Sequence, residues 1–226
     1  MNNKGLILKN ICDLILDNRR DEASVLARSE YPFTPNLSIG RKYTLLQSTL
    51  IFLRDGFVDR YDGRRLVFPG TLKLLSKLLP EEFPAHPNWK MSESHIMYWE
   101  LFPTIDHITS VARGGADDES NWVTTSMINN GIKAHWTLEE LSWELCQPGD
   151  VEDWDGLMGW FLMYIEKEPA FLKDPYVKKW HRAALKASET FISNQEMEEA
   201  ILRMNELEAN PEMGITLKQL KSLLNK

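Results

Sequence analysis

Residues 103–136 read PTIDHITSVARGGADDESNWVTTSMINNGIKAHW. The run opens with β-branched residues around Asp106-His107 and passes through a polar loop holding Gly114-Gly115. It returns to the β-prone NWVTTS and closes on SMINNGIKAHW, which suits a helix with a weak point at Gly131. The predicted order is strand, loop, strand, helix.

Asp106, His107 and Asn130 are the residue types that phosphodiester hydrolysis needs. A base must activate water, and a hard cation must offset the charge that builds on phosphate and leaving oxygen. Histidine suits the base because it titrates near neutrality. Mg²⁺ suits the cation, because it takes oxygen ligands and keeps several waters. Adjacent side chains on a strand face opposite ways, so Asp106 and His107 would share one cation poorly. A local twist or bulge can aim the carboxylate at a metal and the imidazole at a water beside it. Asn130 offers a second oxygen ligand from the following helix. Lys133 lies about one turn on and could face the same phosphate. Asn121, at the start of the second strand, could tie down the loop or orient the imidazole. The acids Asp117, Asp118 and Glu119 read as solvated loop residues.

Asp106-His107-Ile108, Gly114-Gly115, Asn121 and Asn130-Gly131-Ile132-Lys133 together resemble the HNH (ββα-metal) endonuclease motif. That pattern is an Asp-His pair, a glycine-bearing loop, a central Asn, and a His or Asn three residues before a Lys. The resemblance implies His107 as general base, Asp106 and Asn130 as ligands of Mg²⁺ or Mn²⁺, and Asn121 as the structural Asn. DNA is the substrate it implies. Arg113, Arg60, Arg64, Arg65 and Lys133 are the expected phosphate contacts.

The segment FVDRYDGRRLVF, 57–68, reads as a hairpin turning at Asp62-Gly63. Phe57 to Gly63 resembles the stretch that carries a zinc-binding CxxC in many HNH proteins. Here those positions hold Asp59 and Asp62, and the partner pair would fall at Ser126 and Asn129. Zinc prefers S and N donors, so no structural zinc is expected. The hairpin should be held by packing and hydrogen bonds, through Tyr61 and Phe68.

Residues 4–28 read as one helix with an apolar face, 29–40 as a loop, and 40–54 as a second helix ended by Asp55-Gly56. A short helix is expected over 71–79, irregular chain over 80–92, and a helix rather than a strand over 92–102. After 137, helices are expected near 137–146, 153–167, 174–188, 194–208 and 216–225, the first with a Thr137/Glu140 capping box. His95 is close enough in sequence to serve the site, and is otherwise a packing residue. The organisation is an N-terminal helix and loop, 1–39, a nuclease core, 40–136, and a C-terminal helical region, 137–226. The fold class is α+β: a mainly helical protein around a central ββα motif.

Composition sets the outer limits. The 226 residues are 43% hydrophobic, enough for a real core. The net charge of -7 argues against indiscriminate nucleic-acid binding, but it is unevenly spread. Residues 40–80 hold eight Lys or Arg against three Asp, a net of +5, and residues 137–226 hold ten against seventeen acids, a net of -7. Cys12 and Cys146 have no metal-like spacing and read as buried thiols. No apolar run spans a membrane, and the N-terminus lacks a signal-peptide core, so a cytoplasmic protein is expected. The functional expectation is a DNA endonuclease of restriction, defence, phage or mobile-element type. The alternative is a catalytically inactive nucleic-acid-binding module on the same scaffold. A homodimer with one site per strand is a state that the resemblance allows.

Overall fold

The computed structural model describes residues 4–33 and 43–209. The chain is α+β and mainly helical, with one two-stranded sheet among the described residues. It divides into two compact units, residues 1–41 and 42–226.

The first unit is a helical pair, α1 (Lys4–Leu16) and α2 (Arg20–Glu30). The single helix expected over 4–28 is broken at Asn18, which adopts a left-handed backbone (φ 59°). Asparagine tolerates that conformation better than most residues, so the chain turns back on itself there. The expected loop over 29–40 lies mostly outside the described residues.

The second unit opens at α3 (Leu45–Arg54). Thr44 accepts a hydrogen bond from the Gln47 amide, and the Gln47 side chain accepts one from the Thr44 amide, a full capping box. The helix stops at Asp55-Gly56. Gly56 has φ +61°, and a Cβ there would overlap the backbone of Gly149. The hairpin over 57–68 forms with its turn at Asp62-Gly63, but pairing reduces to one bridge, Val58 with Arg65, and no strand develops. Helix α4 (Pro69–Leu78) follows, with Pro69 in its first turn. The helix expected over 92–102 shrinks to α5 (Met97–Glu100), preceded by a 3₁₀ turn at Met91–Glu93.

Strands β1 (Pro103–His107) and β2 (Trp122–Ser126) pair antiparallel, with Asp106 opposite Val123 and His107 opposite Trp122. Helix α6 (Met127–Lys133) leaves β2 directly, capped by Ser126 accepting from the Asn129 amide. Next come α7 (Leu138–Leu141), with the Thr137/Glu140 box in place, and α8 (Met158–Lys167). The two helices expected over 174–188 and 194–208 are one continuous element, α9 (Pro175–Ala209). The helix expected over 216–225 lies outside the described residues.

The main core joins the hairpin to the later helices. Phe68, fully buried, packs 5.3 Å from Phe161 of α8 and 5.4 Å from Trp180 of α9, ring centre to ring centre. Phe52, Phe57, Leu74, Ile165, Val177 and Ala184 fill the rest. Residues on both sides of position 137 therefore share one hydrophobic core. Tyr61 and Phe68 hold the hairpin as expected, Phe68 by packing and Tyr61 through a buried hydroxyl. Among the described residues no helix is long and apolar enough to cross a membrane.

Candidate active site

Strand β1, strand β2 and helix α6 bring four of the singled-out residues to one end of the small sheet. Asp106 is buried beneath the hairpin. Its Oδ2 accepts a 2.7 Å hydrogen bond from the Tyr61 hydroxyl and lies 2.9 Å from Lys133 Nζ. Lys133 also donates to the carbonyl of His107 at 2.6 Å and sits 5.8 Å from the Tyr61 ring centre. Expected to face a phosphate, Lys133 is instead wholly buried, its charge compensated by Asp106. Burial raises the pKa of the Tyr61 phenol, and the adjacent Asp106 carboxylate raises it further.

His107 is also buried. The register sets Trp122 opposite it, so the indole N–H donates to His107 Nε2 at 3.0 Å. Asp117 Oδ1 lies 2.8 Å from the same nitrogen and 3.3 Å from the indole nitrogen. A proton on Nε2 would be shared with Asp117; without one, the indole N–H points to the ring. Tyr43 packs against this pair, 4.9 Å from Trp122 and 6.4 Å from His107 between ring centres. The loop acid read as solvated therefore contacts the imidazole, although its side chain is half exposed.

Asn121 ties the loop. Its amide nitrogen donates to the carbonyls of Thr109 and Ala116, and its carbonyl accepts from the Thr109 amide. The two ends of the β1–β2 loop are thus pinned to one side chain. Gly115 is needed there, because a Cβ would overlap the Thr109 carbonyl and crowd the Asn121 amide. Of the two roles open to Asn121, this is the loop-tying one.

Asn130 donates from Nδ2 to Thr104 Oγ1 at 2.9 Å and to the Ile105 carbonyl at 3.2 Å. Thr104 and Asp106 share a face of β1 by strand alternation. Among the described residues, no hydrogen bond engages Asn130 Oδ1 or Asp106 Oδ1. A carboxylate oxygen and an amide oxygen are the hard donors that Mg²⁺ or Mn²⁺ accepts, with water and phosphate completing the shell. The donor set fits such an ion but is sparse: among the described residues no three His, Cys, Asp or Glu side chains converge.

The arginines expected at phosphate are placed differently from one another. Arg60 turns inward, donating to the Cys146 carbonyl at 2.7 Å and pairing with buried Asp55 at 3.1 Å. Arg113 pairs with Glu140 at 2.9 Å, Arg64 with Asp62 at 3.3 Å, and Arg65 lies over the Trp154 ring. Arg64, Arg65 and Arg113 keep exposed surface. His95 packs edge-on to Phe83 and accepts from the Met97 amide, which makes it a packing residue. Cys12, read as buried, is exposed.

The positions matched to the missing zinc ligands meet in space. Buried Asp59 accepts from the Tyr61 amide, Thr125 Oγ1, the Ser126 amide and Asn129 Nδ2, at 2.8–3.0 Å. Asn129 Nδ2 also donates to Asp62 Oδ2 at 2.9 Å. Hydrogen bonds among residues 59, 62, 126 and 129 thus fasten the hairpin to the β2–α6 junction.

Tyr61, Trp122, Asp117 and Tyr43 are site residues that the sequence reading missed in this role. Tyr61 is brought in by the hairpin, Asp117 by the β1–β2 loop, Trp122 by the strand register opposite His107, and Tyr43 by the chain leading into α3. Compared with known proteins, the chain matches no family model, no curated protein and no solved structure.

Proposed function

We propose that this protein is a divalent-metal-dependent endonuclease of the HNH (ββα-metal) type, hydrolysing phosphodiester bonds in DNA. The observation that carries the reading is the convergence of β1, β2 and α6. Asp106 and His107 are consecutive at the end of β1, where the unbroken register turns their side chains to opposite faces rather than supplying the expected bulge, Asn130 hydrogen-bonds to the same strand, and Asn121 locks the β1–β2 loop. The meeting of residues 59, 62, 126 and 129 supports the same reading, because it is the spatial relation that the upstream resemblance requires.

In this reading His107 takes a proton from the attacking water, and the hydroxide adds to phosphorus in line with the departing 3′ oxygen. Asp106 and Asn130 hold Mg²⁺ or Mn²⁺, which when bound supplies positive charge to the phosphate and leaving group. Lys133 acts from within, holding the Asp106 carboxylate and the His107 backbone in place. Exposed Arg113, Arg64 and Arg65 are the cations left to meet DNA phosphates.

One observation favours the second reading, a binding module without catalysis. The His107 ring is buried, with Trp122 and Asp117 at Nε2. Catalysis through that nitrogen requires both the Asp117 loop and the Trp122 indole to give way.

The deciding experiment incubates supercoiled plasmid with pure protein in Mg²⁺, Mn²⁺ or EDTA, beside His107→Ala and Asn130→Ala. Metal-dependent nicking or linearisation that both variants lose is the expected result. Folded protein that binds DNA but cuts it with neither ion establishes the binding module instead.

A further inference from the structure

Away from the small sheet, a cleft opens between α4, the 85–94 segment, α5 and the start of α9. Its walls include Lys73, His86, Trp89, Ser94, Tyr98 and Tyr176. Trp89 is held there under strain: its φ of +54° lies in the left-handed region, which a bulky side chain rarely adopts. The indole stands nearly at right angles to Tyr98, Trp99 and Phe102, with ring centres 5.2–6.3 Å away, yet the residue stays 39% exposed. Strain of this kind collects where the fold must hold a side chain toward a ligand.

Size and polarity select the ligand. The cavity is about 110 Å³, enough for one flat ring, since an apolar cavity of about 150 Å³ holds benzene. Aromatic walls favour a π-face. They would also suit an organic cation, but the Lys73 ammonium already lies 5.9 Å from the Tyr176 ring centre and repels a second positive charge. Among the described residues Lys73 has no acid partner, and two acids of the flanking segments are engaged elsewhere, Asp174 with Lys77 at 2.7 Å and Glu93 with Lys90 at 3.0 Å. The charge of Lys73 is left for an anion. The Tyr98 hydroxyl is spent on Ser76 and the Leu72 carbonyl, and His86 Nδ1 accepts from the Asn88 amide. Ser94 Oγ accepts from the His86 amide at 2.9 Å, and among the described residues its own hydrogen has no acceptor. The cleft thus offers one hydroxyl donor to the edge of a ring and one ammonium to an anion.

We propose that this cleft binds one pyrimidine nucleotide. Its base packs against Trp89, a ring carbonyl accepts from the Ser94 hydroxyl, and its phosphate meets Lys73 at the mouth. A single six-membered ring matches the cavity, the carbonyl matches the donor, and the phosphate matches the ammonium. This inference does not rest on the nuclease reading.

The test is isothermal titration of the full-length protein in EDTA with thymidine 5′-monophosphate, beside thymidine, 2′-deoxyadenosine 5′-monophosphate, phenylacetate and choline. The expected result is saturable binding of the pyrimidine nucleotide, with thymidine about tenfold weaker for want of the phosphate. The purine nucleotide and phenylacetate bind more weakly too, one for its second ring and the other for its missing carbonyl, and choline does not bind. Lys73→Met brings the nucleotide down to the level of thymidine and leaves thymidine unchanged, whereas Trp89→Ala weakens both about tenfold. Absence of saturable nucleotide binding overturns the proposal. So does a purine nucleotide, phenylacetate or choline that binds as tightly, or a nucleotide affinity that Lys73→Met leaves unchanged. Should Trp89→Ala unfold, Lys73→Met and the probe series on the unaltered chain still decide. Competition by a short oligothymidylate marks a base within a strand as the source, and its failure marks the free nucleotide; either outcome supports the site.

Discussion

Asp59 and Asp106 are both buried acids beside the same small sheet, and they are satisfied in opposite ways. Asp59 uses both oxygens, accepting four hydrogen bonds from neutral donors on the hairpin, β2 and α6. Asp106 has one oxygen held by the Lys133 ammonium and the Tyr61 hydroxyl, and among the described residues its other oxygen accepts no hydrogen bond. A carboxylate with its lone pairs spent is a rivet. One that keeps an oxygen beside a buried cation has, in the proposed nuclease reading, the oxygen that a metal ion would take. Burial alone does not distinguish the two, since both side chains are nearly inaccessible; their hydrogen bonding does.

The largest effect on stability is expected at the rivet. Asp59→Ala strands buried donors on three elements and should cost about 4 kcal/mol, read as a lower urea midpoint. Next is Lys133→Met, which leaves the Asp106 carboxylate buried without its cation and should cost about 3 kcal/mol. A urea midpoint unchanged in Lys133→Met would mean that Asp106 does not need the ammonium in the folded state. Asn121→Ala removes three hydrogen bonds at a half-buried position and should cost about 2 kcal/mol. Hydrogen exchange should then quicken at residues 109–116 while the core amides stay slow. Unchanged exchange in that loop would contradict the tying role.

Tyr61→Phe should have the smallest effect at neutral pH, about 1 kcal/mol for one hydrogen bond. Its signature is in the pH dependence. The folded phenol titrates well above the ordinary value of about 10, because burial and Asp106 oppose its ionisation. The stabilisation is therefore fully present below about pH 10 and declines as pH rises beyond it, where the unfolded tyrosine ionises and the folded one does not. Thermal unfolding followed from pH 8 to 11 should show a smaller alkaline loss in Tyr61→Phe than in the unaltered chain.

Much of the local structure was legible because its causes are local. The Thr137/Glu140 box, the stop at Asp55-Gly56 and the strand–loop–strand–helix order depend on residues a few positions apart. The break at Asn18 was not legible, since an apolar period runs across it and only the left-handed turn reveals two helices. The 92–102 segment failed for a related reason: Ser92 looks like a cap, but it lies in a 3₁₀ turn, and the α-helix is only Met97–Glu100. At the site, the Asp, His and Asn residues could be picked out by type and spacing. Their partners could not. Arg60 and Lys133 looked like surface cations, yet each is turned inward by an acid that the fold supplies, Asp55 and Asp106. Asp117 looked solvated, because nothing in its own loop shows that His107 lies within reach.

The most direct test of the contrast is the metal-dependent plasmid cleavage rate of Asp59→Asn and Asp106→Asn, measured below the melting transition of both. The account predicts that Asp59→Asn melts earlier but cleaves at nearly the unaltered rate, and that folded Asp106→Asn does not cleave. Cleavage by Asp106→Asn at the unaltered rate, or its loss in fully folded Asp59→Asn, would contradict the assignment of scaffold to one aspartate and chemistry to the other.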